Sequence, residues 1–302
     1  MVIGYRRVPP SRIEFGVALR LYDEDRVTEA YNAALDAGLG EEGEYALWFR
    51  QIEAEAVTRA RSTVRKIDDY LEVEFIPAEA WMGVDSLTGL AQGSIQAVCD
   101  RLAWKSQART RVTVLAKDVD TPFATNPDGY CVRKNEFFKI CIPAYVLEDE
   151  VELSAAISHE YVHVVSMLTG GEYVEPWFDE GVAVHLAGER DDEILQEIRL
   201  GRWPWLSPRE LNFKVRSDEA DFEDADSVLA AYQQAGLVVG EVVSVVGEPA
   251  LLKVFERSQK HSFWRMLLLT ATGTTAFDSA LKSVTGKSKP WFFEQARRRL
   301  FG

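Results

Sequence analysis

The chain has 302 residues, 47% of them hydrophobic, which suits one large domain or two modest ones with a sizeable core. Its 48 acidic residues against 34 basic ones leave a net charge of -14 and a pI near 4.9. Such a surface repels phosphate backbones and anionic lipid, which argues against nucleic-acid or membrane-surface binding. Three cysteines, Cys99, Cys131 and Cys141, lack CxxC spacing, so they read as reduced, partly buried thiols.

The opening "MVIGYRRVPPSRIEFG" holds no apolar run of signal-peptide length. "AGLVVGEVVSVVG" is too short for a membrane span and carries Glu241, so no span is expected. With that start taken as natural, the expected location is cytoplasmic. The first helix read from the pattern is "DRVTEAYNAALDAG", with Val27, Ala30, Tyr31, Ala34 and Leu35 on one stripe and Gly38 as its stop. "EYALWFRQIEAEAVTRARSTVRKIDDYLEVEF" reads as one long amphipathic helix on Leu47, Ile52, Val57, Val64, Ile67 and Leu71. Pro77 and Gly83 break the pattern, and a boundary is set there: residues 1–80 as an N-terminal helical region, residues 81–302 as a second domain.

Beyond it come a helix, "SIQAVCDRLAWKSQ", a β-branched strand, "RVTVLA", a turn or loop, "FATNPDG", and the strand-like "YCVRKNEFFKICIP". The next helix is capped by Asp149, with Glu152 three residues on, and ends at "TGGE". Pro176 opens a short helix, "WFDEGVAVHLAG", and a Trp/Pro loop follows Gly201. "DSVLAAYQQAGLVVGEVVSVVG" is apolar nearly all round and is expected to be buried; "PALLKVFERS" and "TAFDSALKSVTG…PWFFEQARRRL" close the chain as helices. Strands in the middle with helices on either side predict an α+β fold.

The chain has only four histidines, and "AAISHEYVHVVSML" spends two of them one helical turn apart. On a helix, positions i and i+4 share a face, so His159 and His163 can offer both imidazoles to one ion. Glu160 lies beside them, placed to take a proton from a metal-bound water. This is the HExxH arrangement of zinc peptidases, which needs a third protein ligand and an open fourth position. The competing reading is two surface histidines near a glutamate.

No histidine follows in "VVSMLTGGEY", which excludes the HxxGxxH continuation. Glu180, on the next predicted helix, is the candidate third ligand. It shares a face with Ala183 and Ala187, while Phe178, Val182 and Leu186 form another stripe toward a core. An exposed helix carboxylate is its alternative. One zinc per chain is the expected cofactor.

HEYVH followed by "PWFDEGVAVHLA" resembles the gluzincin metallopeptidases, especially the MA-like group related to aminopeptidase N. "AAYQQAGLVVGEVVSVVGEPAL" resembles that family's tyrosine-bearing helix and "FDSALKSVTGKSKPWFFEQARRRL" its closing helices, so the resemblance covers roughly residues 85–302. It implies a zincin-like domain: a small mixed sheet, the HExxH helix and a helical C-terminal part. It implies zinc ligands His159, His163 and Glu180, Glu160 as general base, and Tyr232 as donor to the developing oxyanion. A core tyrosine is the other reading of Tyr232. Asp179 reads either as a residue orienting a ligand or as an ordinary carboxylate near a helix start. His185 turns to a different face, and His261 reads as an amphipathic-helix residue.

The implied activity is hydrolysis of peptide bonds in a peptide or protein substrate. The family's Gly-x-Met-Glu-Asn segment, which anchors a free amine, is missing; "YCVRKNEFFKICIPAY" stands in that region. Endo- and exopeptidase action therefore both remain open, and a strand there could pair with an extended peptide. Rival readings are a catalytically silent binding protein on the same fold, a helical protein with a fortuitous HExxH, and a regulatory protease with one dedicated substrate.

Overall fold

A computed structural model describes residues 13–40, 45–80, 82–105, 108–119, 129–216, 225–259 and 275–302. The chain divides into two compact units, residues 1–95 with 107–160, and residues 96–106 with 161–302. Two of the three divisions fall inside helices, α4 (Val84–Leu102) and α5 (Glu150–Thr169). The architecture is α+β, with one five-stranded mixed sheet among the described residues.

The first unit begins with α1 (Ile13–Asp23), α2 (Val27–Asp36) and α3 (Ala46–Arg59). Gly38 follows α2 at φ 71°, the left-handed stop expected of it, but Leu35 lies outside the buried stripe. The long helix read from Glu44 to Phe75 is corrected: it ends at Arg59, and β1 (Thr63–Lys66) and β2 (Leu71–Phe75) follow as an antiparallel hairpin. Asp68 explains the difference. Its Oδ1 accepts from the backbone N–H of Tyr70 at 2.7 Å and of Leu71 at 2.8 Å, a local turn that competes with helix. The β-branched residues around it then pair as strands.

The sheet runs β1-β2-β3-β5-β4, with β3 (Thr110–Val114), β4 (Tyr130–Arg133) and β5 (Phe138–Ile142). β2, β3 and β5 are parallel, while β1 and β4 run antiparallel at the two edges. Because β2 pairs with β3, the sheet crosses residue 80, and the division expected there is replaced by the two units above. The residues behind this are charged and buried. Lys139 on β5 meets Glu55 of α3 at 2.8 Å and Asp25, just beyond α1, at 3.5 Å. Tyr130 adds a hydrogen bond to Glu55 at 3.0 Å, and Arg59 and Arg111 also bind Asp25. The N-terminal helices are thus tied to the sheet through its interior.

The second unit is helical: α6 (Pro176–Ala187), α7 (Asp192–Arg199), α8 (Pro208–Arg216), α9 (Ala225–Val246), α10 (Pro249–Gln259), α11 (Ala276–Thr285) and α12 (Lys289–Phe301). α6 and α9 cross closely at two glycines. A methyl group on Gly181 would lie 2.6 Å from the Ala235 carbonyl oxygen, and one on Gly236 2.8 Å from Val184 Cγ1. Trp177 and Phe178 stack edge-on and tilted against Phe255, Phe277 and Phe293, which fastens α6 to α10, α11 and α12. α9 has the length and composition of a membrane-crossing helix, but 67% of its apolar window is buried inside the structure, as its all-round hydrophobicity led one to expect. Cys99, Cys131 and Cys141 are all buried and form no disulfide. The "FATNPDG" turn, except for Gly129, and His261 lie outside the described residues.

Candidate metal centre

α5 starts where its cap predicts. Asp149 Oδ1 accepts from the backbone N–H of Val151 at 2.7 Å and of Glu152 at 3.3 Å, satisfying donors of the first turn. Two turns on, His159, Glu160 and His163 are 4%, 1% and 0% exposed, so none is a surface residue. Their ligand-capable atoms all lie within 4.8 Å of one another. A group of this kind could hold one metal ion.

α6 brings two further carboxylates, Asp179 and Glu180. Its start is pinned by Glu175, which accepts from Trp177 Nε1 at 2.7 Å and from Lys289 Nζ at 2.6 Å, while the Trp177 N–H donates to Asn212 Oδ1. Pro176 takes the first helical position, where its missing N–H costs nothing. Asp179 and Glu180 follow in the first and second turns. Glu180 Oε2 lies 3.5 Å from His163 Nε2, and Asp179 Oδ2 lies 3.3 Å from His163 Nδ1. The two nitrogens of one imidazole thus face two consecutive carboxylates. Burial pushes His163 down, but Glu180 and then Asp179 outweigh it and hold its pKa up at about 9.

By residue type the donors suit zinc; the structure brings Glu180 to His163, while the group whose ligand atoms lie mutually close is His159, Glu160 and His163. Two imidazoles and a carboxylate are a catalytic zinc triad, and bonds of about 2.1 Å set tetrahedral ligands about 3.4 Å apart. His163 Nε2 and Glu180 Oε2 stand at 3.5 Å. Asp179 faces the other nitrogen of His163, where a carboxylate fixes the tautomer that leaves Nε2 for a metal. The structure shows Asp179 paired with His163. Glu180 is 5% exposed, so the exposed-carboxylate alternative is removed.

Tyr232 is buried on α9, 7% exposed. It is one turn before Ala235 and Gly236, which lie at the crossing with α6. Its neighbours have structural work: Gln233 links the Asp191 N–H and the Glu189 carbonyl, and Gln234 does the same for both backbone groups of Leu206. His185 turns away to Glu248, at 3.3 Å, in a cluster with Arg101.

Gly129 was not singled out in the sequence. It precedes β4 at φ 151°, a value that residues with side chains rarely adopt. A methyl group there would lie 2.8 Å from the Cys141 carbonyl oxygen and 3.4 Å from Glu160 Cγ. The edge strand therefore starts with bare backbone against Glu160. Its only sequence signal was the turn-like "NPDG". Comparison with protein-family models, with curated proteins and with solved structures finds no match to this chain.

Proposed function

We propose that this chain is a zinc-dependent metallopeptidase of gluzincin type, with one zinc held by His159, His163 and Glu180. The observation that carries the reading is the approach of Glu180 to His163 Nε2 at tetrahedral ligand spacing, from a separate helix. The small mixed sheet followed by the HExxH helix and a helical C-terminal part supports a zincin-like fold.

Zinc in such a site supplies a Lewis acid and a water of lowered pKa. This chain's residues do the rest. Glu160 takes the proton of the attacking water and returns it to the leaving amine. Asp179 keeps His163 in the tautomer that presents Nε2. Tyr232 donates its hydroxyl hydrogen to the oxygen that becomes negative as the carbonyl is attacked. β4 stands at the sheet edge, and a side chain at Gly129, just before it, would meet Glu160, which favours a substrate bound in extended form along that edge.

The test is hydrolysis of casein and of quenched peptides by the zinc-loaded chain and by Glu160→Gln. Cleavage by the first and none by the second, at equal zinc content, supports the proposal. Zinc bound with no cleavage of either substrate favours the silent-binder reading, and new protein termini in cell extract then identify a dedicated substrate.

A further inference from the structure

A second site lies elsewhere in the helical unit. α7, α9 and α12 line a half-open hollow of about 250 Å³ whose walls include Leu195, Leu237 and Leu300 with Arg190, Arg199 and Arg299. Each arginine is anchored in the same way, through Nε. Arg190 Nε donates to Asp192 Oδ1 at 2.7 Å, Arg199 Nε donates to the Leu300 carbonyl at 2.8 Å, and Arg299 Nε lies 2.8 Å from Glu241 Oε1. The terminal nitrogens are left over. Among the described residues one of them has a partner, Arg199 Nη1, which reaches Gln196 Oε1 at 3.3 Å.

Arg199 and Arg299 join helices through Nε, Arg190 holds Asp192 two residues on, and each leaves terminal nitrogens of the fork that matches a carboxylate in two parallel hydrogen bonds. The charge is also inverted locally: three arginines outnumber Asp192 and Glu241, in a chain whose net charge is -14. Beside the forks the wall is aliphatic. The cavity is smaller than the roughly 300–1,000 Å³ that accepts drug-sized ligands.

We infer that this cavity binds a small organic anion, its carboxylate on the arginine forks and a short aliphatic body against the three leucines. The site goes beyond the peptidase reading and does not depend on it.

The experiment is calorimetric titration of the full chain with octanoate, and with octanol and acetate as probes lacking the head or the body. Octanoate is expected to bind at millimolar affinity or better, with both other probes at least about tenfold weaker, since a charged hydrogen bond contributes about 1.5–3 kcal/mol. Arg190→Gln with Arg299→Gln should weaken octanoate by about tenfold or more. Both side chains are largely exposed, 67% and 64%, so the change spares the core, and circular dichroism checks the fold. If the double variant loses its native spectrum, Arg190→Gln alone is titrated and must weaken octanoate by at least about threefold. The inference is overturned if octanoate fails to bind, if octanol binds equally well, or if the arginine variant that folds binds octanoate as the wild type does.

Discussion

Replacing Lys139 by methionine keeps most of the side chain's volume and removes the cation at the centre of the first unit. Lys139 is fully buried, 2.8 Å from Glu55 and 3.5 Å from Asp25. Burial pushes the Glu55 carboxyl up, but Lys139 and then Lys134 outweigh it and bring its pKa from 4.5 down to about 2. That difference corresponds to about 3 kcal/mol in favour of the charged form. The usual cost of breaking a buried pair, about 3–5 kcal/mol, agrees with it. Lys139→Met is therefore expected to lose about 3–5 kcal/mol in urea unfolding followed by circular dichroism. Adding Glu55→Gln should recover part of the loss, because glutamine still accepts from Tyr22 and Tyr130 without bringing a charge. A single variant within about 1 kcal/mol of wild type, or a double variant less stable than the single, would refute the reasoning.

Three further outcomes are expected. Asp25 and Glu55 both have folded-state pKa values of about 2, below their ordinary 3.8 and 4.5. Their stabilisation is therefore full above about pH 4.5 and is lost as pH falls toward 2, so an acid titration at fixed urea should unfold the chain in that window; stability flat across it contradicts the network. Asp179→Asn should weaken zinc binding by about 10–100-fold in chelator competition, because the carboxylate opposite His163 Nδ1 is gone; unchanged affinity would remove its orienting role. Tyr232→Phe should leave zinc content unchanged and lower kcat by about 10²–10³-fold. A loss of about 1 kcal/mol in stability with turnover intact would mark it as a core tyrosine instead.

The parts of this structure that a linear reading could reach are those whose signals are local. Asp149 before its helix, Pro176 at a first turn, Gly38 after a last one and the i, i+4 histidines all act within a few residues, and the structure has each in place. Glu180 was reachable because its own helix had a pattern. The misreading at Arg59 arose where apolar residues at helical spacing ran on into a segment that Asp68 turns back as a hairpin, whose second strand also pairs with distant β3. Lys139 in "FFKICI" gave no sign of meeting Glu55, 84 positions earlier. Gly129 against Glu160 and the arginine cavity are likewise products of tertiary approach, which no spacing records.

The central claim is that His159, His163 and Glu180 hold one zinc. Elemental analysis after equilibrium dialysis against buffered zinc tests it most directly, on the wild type beside His163→Ala and Glu180→Ala. One zinc per wild-type chain and almost none in either variant, with circular dichroism unchanged, is the expected result. A wild type without zinc, or a Glu180→Ala variant that keeps a full equivalent at wild-type affinity, would contradict it.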